Sequence, residues 1–319
     1  MQTVLVAGGS GFIGSHLCKS LLSDNFRIIC VDNFITGDKN NLINVLQDQN
    51  FKLIEADIAE ELPQDLITEK IDYVFDLASP ASPNKKSPRS FINHPIETLR
   101  ANSFGVYNLL NLAKDKNAKI LYVSSSEVYG DPLISPQTEE YFGNVNPNGI
   151  RSVYDEGKRF GEAITMAYFR KFDVDIRIIR IFNTYGPSMQ KDDGRIISNL
   201  INQAINNQPL TIYGNGEQTR SFCYVSDMVE GLKKAMFLPK TKGEVFNMGN
   251  PDERQILEMA NLIRKMTNSS SQILFEELPQ DDPKRRKPDI SKAKKLLNWE
   301  PKITIEEGLG KTIEYFKSL

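Results

Sequence analysis

Short, mostly apolar runs alternate with stretches of helical period through about residue 182. The runs Thr3–Ala7, Arg27–Asp32, Phe51–Glu55, Tyr73–Ala78, Lys119–Ser124 and Asp175–Phe182 read as strands. Helical patterns begin near Phe12, Asn40, Glu97 and Tyr154. Strands that do not alternate apolar with polar, and that are separated by helices, predict a parallel sheet covered on both faces.

After Gly186-Pro187 the segments become shorter and mixed. A helix is expected near Ile196–Asn206, strands at Leu210–Tyr213 and Ser221–Tyr224, and helices near Asp227–Phe237 and Arg254–Met266. Right-handed crossovers then give an α/β fold: a Rossmann-like doubly wound parallel sheet with a smaller C-terminal α+β lobe. The expected division is 1–182 and 183–319, with some chain exchange between the lobes. Two loops stand out. Ser79–Pro95 carries Pro80, Pro83, Pro88 and Pro95 and is unsuited to helix or central strand before its end. Asp281–Pro288 is a dense charge cluster whose composition reads as a solvated turn.

Composition narrows the function. The chain has 319 residues, with 39 Lys and Arg against 41 Asp and Glu, so no global charge draws it to nucleic acid or to an anionic membrane. No apolar run approaches the roughly 20 residues that span a bilayer. The opening MQTVLVAGG enters a strand pattern directly, so no signal peptide is expected. Cys18, Cys30 and Cys223 lack CxxC spacing, which points to a reducing cytoplasm. His16 and His94 are the two histidines, so neither a His-based triad nor a metal site is expected. Acid–base chemistry must rest on Tyr, Lys, Glu or Asp.

Residues 5–14, LVAGGSGFIG, set Gly8, Gly11 and Gly14 between a strand and a helix. Gly8 permits a tight turn, Gly11 lets backbone approach a pyrophosphate, and Gly14 lets helix pack on strand. The helix N-terminus offers free N–H groups to the phosphates. Asp32, 18 positions after Gly14 at the end of the next strand, suits the adenosine ribose hydroxyls. Its charge would repel a 2′-phosphate, so the expected cofactor is NAD rather than NADP. Asp57 and Ile58, after the third strand, are expected at the adenine.

Tyr154 and Lys158 share one helix face by their four-residue spacing, and Ser125 ends the preceding strand. A tyrosine with a pKa near 10 is a poor base at neutral pH, but a nearby ammonium stabilises the phenolate. Glycine trio, Ser125, Tyr154 and Lys158 together resemble the short-chain dehydrogenase/reductase superfamily, in its extended nucleotide-sugar branch. The likeness runs from Val4 to about Lys317.

Within that branch the segment Ser124-Ser125-Ser126-Glu127-Val128-Tyr129-Gly130-Asp131-Pro132 is similar to UDP-glucuronate decarboxylases, also called UDP-xylose synthases. The 4,6-dehydratases carry an Asp–Glu pair where this chain has Ser126-Glu127, and 4-epimerases usually lack the glutamate. LASPASP (77–83), GNVNPNGIRSVYDEGKR (143–159), RIFNTYGP (180–187), DDGRIISN (192–199), YGNGEQTRSF (213–222) and RRKPDISKAKKLLNWEP (285–301) agree. The resemblance implies NAD-dependent decarboxylation of UDP-glucuronate to UDP-xylose through a 4-keto intermediate. Catalytic roles fall to Tyr154, Lys158, Ser125, Ser126, Glu127 and Arg286, which lifts Arg286 out of the solvated turn but leaves Lys284, Arg285 and Lys287 there. Implied cofactor contacts add Phe12, Ile13, Asn33, Thr36, Gly37, Leu77, Ser79, Ser124 and Thr184. Substrate contacts are Asn183, Arg195, Thr211, Tyr213, Arg220 and Arg286, which makes 183–319 the nucleotide-sugar lobe. Homodimerisation through sheet-domain helices is also implied. The chain departs from the family at Asn84–His94, several residues longer than usual and near the sugar, and Ser125 stands where threonine is common. A 4-epimerase, a 4,6-dehydratase and a non-catalytic NAD sensor remain as alternatives.

Overall fold

The computed structural model describes residues 1–283 and 285–319. Among them, strands β1 (Thr3–Ala7), β2 (Arg27–Asp32), β3 (Phe51–Glu55), β4 (Tyr73–Asp76), β5 (Lys119–Ser125) and β6 (Ile176–Ile181) form the core of one parallel sheet. Alternate residues of each strand feed opposite cores. Val4 and Val6 pack with Ile28, Phe75, Leu121 and Ile179, whereas Leu5 and Ala7 pack with Ile29, Val74, Ile120 and Ile178. Both faces are buried, which is why the strands read as continuous apolar runs.

The helices of this region are α1 (Phe12–Ser23), α2 (Gln64–Ile67), α3 (Pro95–Arg100), α4 (Val106–Lys116) and α5 (Ser152–Phe172). A π turn at Ala101–Gly105 joins α3 to α4 in one continuous rod. The helix expected near Asn40 is absent from the described residues. A single 3-10 turn, Lys39–Leu42, stands there, because Asp38 and Asp48 accept backbone N–H bonds from Asn40 and Asn50 and close turns that compete with helix.

Beyond β6 come β7 (Thr184–Tyr185), α6 (Ile196–Ile205), β8 (Leu210–Tyr213), β9 (Thr219–Ser221), β10 (Cys223–Tyr224), α7 (Val225–Phe237), β11 (Glu244–Met248), β12 (Glu253–Gln255), α8 (Ile256–Met266), β13 (Ile273–Glu276), β14 (Arg285–Arg286), α9 (Ser291–Leu297) and α10 (Ile305–Ser318). The sheet order is β11-β6-β5-β4-β1-β2-β3, so its edge strand β11 comes from beyond residue 183. The strand expected at Ser221–Tyr224 is two strands. β9 pairs with β12 and β14, while β10 pairs with β7, and the chain changes sheets at Phe222. The helix expected from Arg254 starts instead at Ile256, behind a capping box of Gln255 and Glu258, because Glu253–Gln255 is committed to the β9 pairing. Among the described residues no helix is long and apolar enough to cross a membrane, and no cluster of three His, Cys, Asp or Glu is poised for a metal.

Candidate active site

β1 and β4 are neighbours from which the chain departs in opposite directions, and a crevice opens at their C-terminal ends. Gly8 turns there with φ +75°, and a Cβ on it would lie 2.9 Å from the Leu77 and Ala78 backbone. A Cβ on Gly14 would lie 2.1 Å from the Gly8 carbonyl oxygen, so this glycine seats α1 on the turn. Gly11, the α1 N-cap, provides no side chain to receive the first N–H groups of Phe12, Ile13 and Gly14. The crevice wall includes Gly8, Gly11, Asp32, Asn33, Thr36, Gly37, Asp57, Ile58, Leu77 and Ser79. Asp32 accepts from the Ser10 N–H at 2.9 Å and the Phe34 N–H at 2.9 Å, which leaves lone pairs on both oxygens for ribose hydroxyls. A dinucleotide fits this donor set: free helix N–H groups for pyrophosphate and a backbone-oriented carboxylate for ribose. Of the other expected contacts, Ile13, Tyr154 and Thr184 line the neighbouring cavity, while Phe12, Gly14, Lys158 and Ser124 line neither; Ser124 departs furthest from the expectation. It is buried away from the crevice, and its hydroxyl donates to Glu162 at 2.6 Å.

A cavity of about 900 Å³ lies beside the crevice, between the parallel sheet and the C-terminal segments. Its wall holds Ile13, Ser125, Ser126, Glu127, Tyr154, Asn183, Thr184, Arg195, Thr211, Tyr213 and Arg220. Tyr154, in the first turn of α5, and Ser125, at the end of β5, line the same wall. Burial pushes the Tyr154 phenol up to about 12, against the pull of Ser125 and Arg195. Lys158, one turn on, sits beneath it. Its Nζ donates to the Val123 carbonyl at 2.9 Å and lies 5.8 Å from the Tyr154 ring centroid. Burial draws that ammonium down to about 8, with Asp76 and Glu162 opposing.

An arginine–glutamate–arginine cluster reaches from the wall, at Glu127 and Arg151, to Arg286 behind it. Arg151 Nη2 meets Glu127 Oε2 at 2.6 Å, and Arg286 Nη1 meets Oε1 at 2.8 Å. Burial alone would raise the Glu127 carboxyl, but Arg286 and Arg151 outweigh it and hold it well below the usual carboxylate range. Arg286 is 1% exposed and is not part of the cavity wall; it acts on the site through Ser126 Oγ at 2.9 Å and through Glu127. Of the two arginines on Glu127, Arg151 is the one that faces the cavity, and the sequence reading passed over it although it precedes Tyr154 by one helical turn. Asp155 beside it is raised by burial and by Glu127. Arg195 pairs with Asp193 at 2.6 Å, and Arg220 pairs with Asp282 at 2.7 Å. Of the charges expected on a solvated turn, Arg285 pairs with Glu253 from an exposed position and Lys287 is half-buried; Lys284 lies outside the described residues.

The long Asn84–His94 segment crosses from the sheet to the C-terminal lobe. Lys86 meets Glu276 on β13 at 2.9 Å, Arg89 meets Asp192 at 2.9 Å, and Ser87 Oγ donates to the Asp192 carbonyl. From it Phe91 stacks on Tyr154, with ring centroids 5.0 Å apart and planes 8° from parallel. This contact had no sequence signal, because the two rings come from separate elements.

The profile of the NAD dependent epimerase/dehydratase family matches residues 4–249. The chain is 48% identical over 316 residues to UDP-glucuronic acid decarboxylase 1 of Xenopus tropicalis, covering 99% of this chain and 72% of that protein. It is 48% identical over 315 residues to UDP-glucuronic acid decarboxylase 3 of Arabidopsis thaliana, covering 98% and 89%. Among solved structures, UDP-glucuronic acid 4-epimerase from Bacillus cereus in complex with UDP-glucuronic acid and NAD superposes with a TM-score of 0.90 at 29% identity, covering 99% of each chain.

Proposed function

The chain belongs to the NAD dependent epimerase/dehydratase family, and from that premise we propose that it decarboxylates UDP-glucuronate to UDP-xylose. Its crevice residues, from Gly8 and Gly11 to Asp32 and Ser79, hold NAD in this reading. Bound there, NAD would supply the hydride acceptor for oxidation at the sugar's C4 and, once reduced, the hydride donor for its re-reduction. Tyr154 receives the C4 hydroxyl proton, and Ser125, beside it on the cavity wall, holds the reacting oxygen in line. Lys158 supplies the positive charge that makes the phenolate accessible below its buried pKa. Oxidation at C4 places a ketone β to the C5 carboxylate, so the C–C bond electrons can move into the ketone as CO₂ leaves. Tyr154 and Ser125 then face the developing enolate oxygen as donors. Ser126 carries a hydroxyl held by Arg286, not an acid able to expel a sugar hydroxyl, which disfavours dehydration. Arg151 and Arg286 keep Glu127 ionised beside the cavity, where its charge raises the energy of a substrate carboxylate relative to neutral CO₂.

The single observation that carries this reading is one cavity wall that brings Ser125, Tyr154 and an arginine-clamped Glu127 together. Product analysis tests it. Incubation with UDP-glucuronate and NAD⁺ should give a nucleotide pentose lighter by one CO₂. A hexuronate of unchanged mass, or a 4-keto-6-deoxy sugar, would reject it.

The same reading assigns NAD binding to residues 1–182 and nucleotide-sugar binding to 183–319, with Thr211, Tyr213, Arg195 and Arg220 at the UDP end. A homodimer is formed by the outer faces of α3, α4 and α5. Ile96, Phe104, Tyr107 and Phe160 are exposed there, an apolar set that a second copy would cover. Cys18, Cys30 and Cys223 are free and buried, which suits a reducing cytoplasm.

A further inference from the structure

Asp76 closes β4 at the switch point of the sheet, opposite Ala7 on β1 and Tyr122 on β5. Its side chain is 2% exposed. Oδ1 accepts the Ala78 N–H at 3.2 Å, and among the described residues Oδ2 has no hydrogen-bond partner. A carboxylate in that state is costly to bury, and an asparagine of the same shape would avoid the cost. The mechanism above gives it nothing to do.

Its surroundings supply a role. Lys158 stands over the same Tyr122 ring, with Nζ 5.0 Å from the centroid, and of its three donors one is spent on Val123. The titratable groups facing that ammonium are Asp76 from β4, Tyr122 from β5, and Tyr154 and Glu162 from its own helix. Glu162 is committed elsewhere: Arg180 meets it at 2.8 and 2.7 Å, and the Ser124 hydroxyl donates to it. Tyr122 is a neutral ring whose phenol is driven up by burial. Asp76 is therefore the carboxylate facing Lys158 that has no cation of its own.

We propose that Asp76 is a positioning residue for the reaction, the buried counter-charge that keeps Lys158 an ammonium beneath Tyr154. This rests on the assignment of Tyr154 and Lys158 as the acid–base pair. The effect has a defined pH window. Burial raises the Asp76 carboxyl to about 6, with Lys158 opposing, so the counter-charge is present above that pH and lost below it. Lys158, drawn down to about 8, needs the counter-charge most at and above neutrality.

The test compares wild type with Asp76→Asn in single-turnover reduction of bound NAD⁺ by UDP-glucuronate. The rate ratio should be near one at about pH 5.5 and rise to about fivefold at about pH 8, the loss expected when an ammonium pKa falls from about 8 by about one unit. A ratio constant across pH would overturn the proposal, since a purely structural defect does not follow the Asp76 titration. A second arm needs no turnover. Asp76→Asn should raise Tm at pH 8 by more in a Lys158→Met background, where the carboxylate has lost its cation, than with Lys158 in place. Equal shifts would overturn it; Lys158→Gln replaces Met should the Met chain not fold. A wild type that never reduces NAD⁺ would strike the decarboxylase reading and leave the Tm cycle to judge Asp76 by itself.

Discussion

At the residue scale the account turns on a phenol held at about 12 and an ammonium held at about 8. Removing the phenolic oxygen removes the proton acceptor, so Tyr154→Phe should lower CO₂ release by about 10²–10⁴-fold while NAD stays bound. Headspace CO₂ and retained cofactor, measured on one sample, check both halves. The pH dependence has a definite sign. Lys158 is charged below about 8 and discharges above it, so turnover should fall on the alkaline side as pH rises past that value. Lys158→Met should lose this alkaline limb along with most of the rate, as steady-state profiles would record. Tyr154, Lys158 and Ser125 were legible in the sequence because two share a helical face and the third ends a recognisable strand. Asp76 and Phe91 were not. Phe91 stacks on Tyr154 and Asp76 acts electrostatically on Lys158, each from another element, and no spacing along the chain encodes that.

At the element scale, helix α5 and the short strand β14 converge on the turn after β5 through Glu127. Two arginines share one carboxylate, and removing a partner from a buried ion cluster costs about 3–5 kcal/mol. Arg286→Met should therefore lower unfolding stability by roughly that amount in a urea titration and abolish CO₂ release, although the residue is not part of the cavity wall. The carboxyl of Glu127 is depressed in the folded state, so its stabilising contribution is full above the unfolded pKa. That contribution is lost as pH falls below about 4.5. The glycine turn is a second element-level device. Gly14→Ala would push a methyl against the Gly8 carbonyl, shift α1, and cost about 1–3 kcal/mol by overpacking, seen as a lower Tm and loss of co-purified NAD. Periodicity placed most of the sheet correctly. It misplaced the segment at Asn40, where two aspartates close turns, and fused the end of β9 with β10, where the chain changes sheet at Phe222 with no Gly or Pro to mark it.

At the scale of the whole molecule, one chain folds a parallel sheet and then returns β11 to its edge from beyond residue 183. The Asn84–His94 segment makes the reverse journey, from β4 across to β13, and carries Phe91 onto Tyr154 on the way. Composition could not reveal either crossing, because a boundary drawn at the change of pattern assumes that the chain crosses it once. The proposed dimer is tested at this scale too: Phe104→Glu should convert a dimer to a monomer in sedimentation, since an exposed apolar face does not tolerate facing carboxylates. The central claim is that the sugar's own C4 hydrogen is lent and restored around the loss of CO₂. UDP-glucuronate deuterated at C4 tests it most directly. In ordinary water the account predicts UDP-xylose that still carries deuterium at C4, whereas UDP-xylose bearing solvent hydrogen there would contradict it.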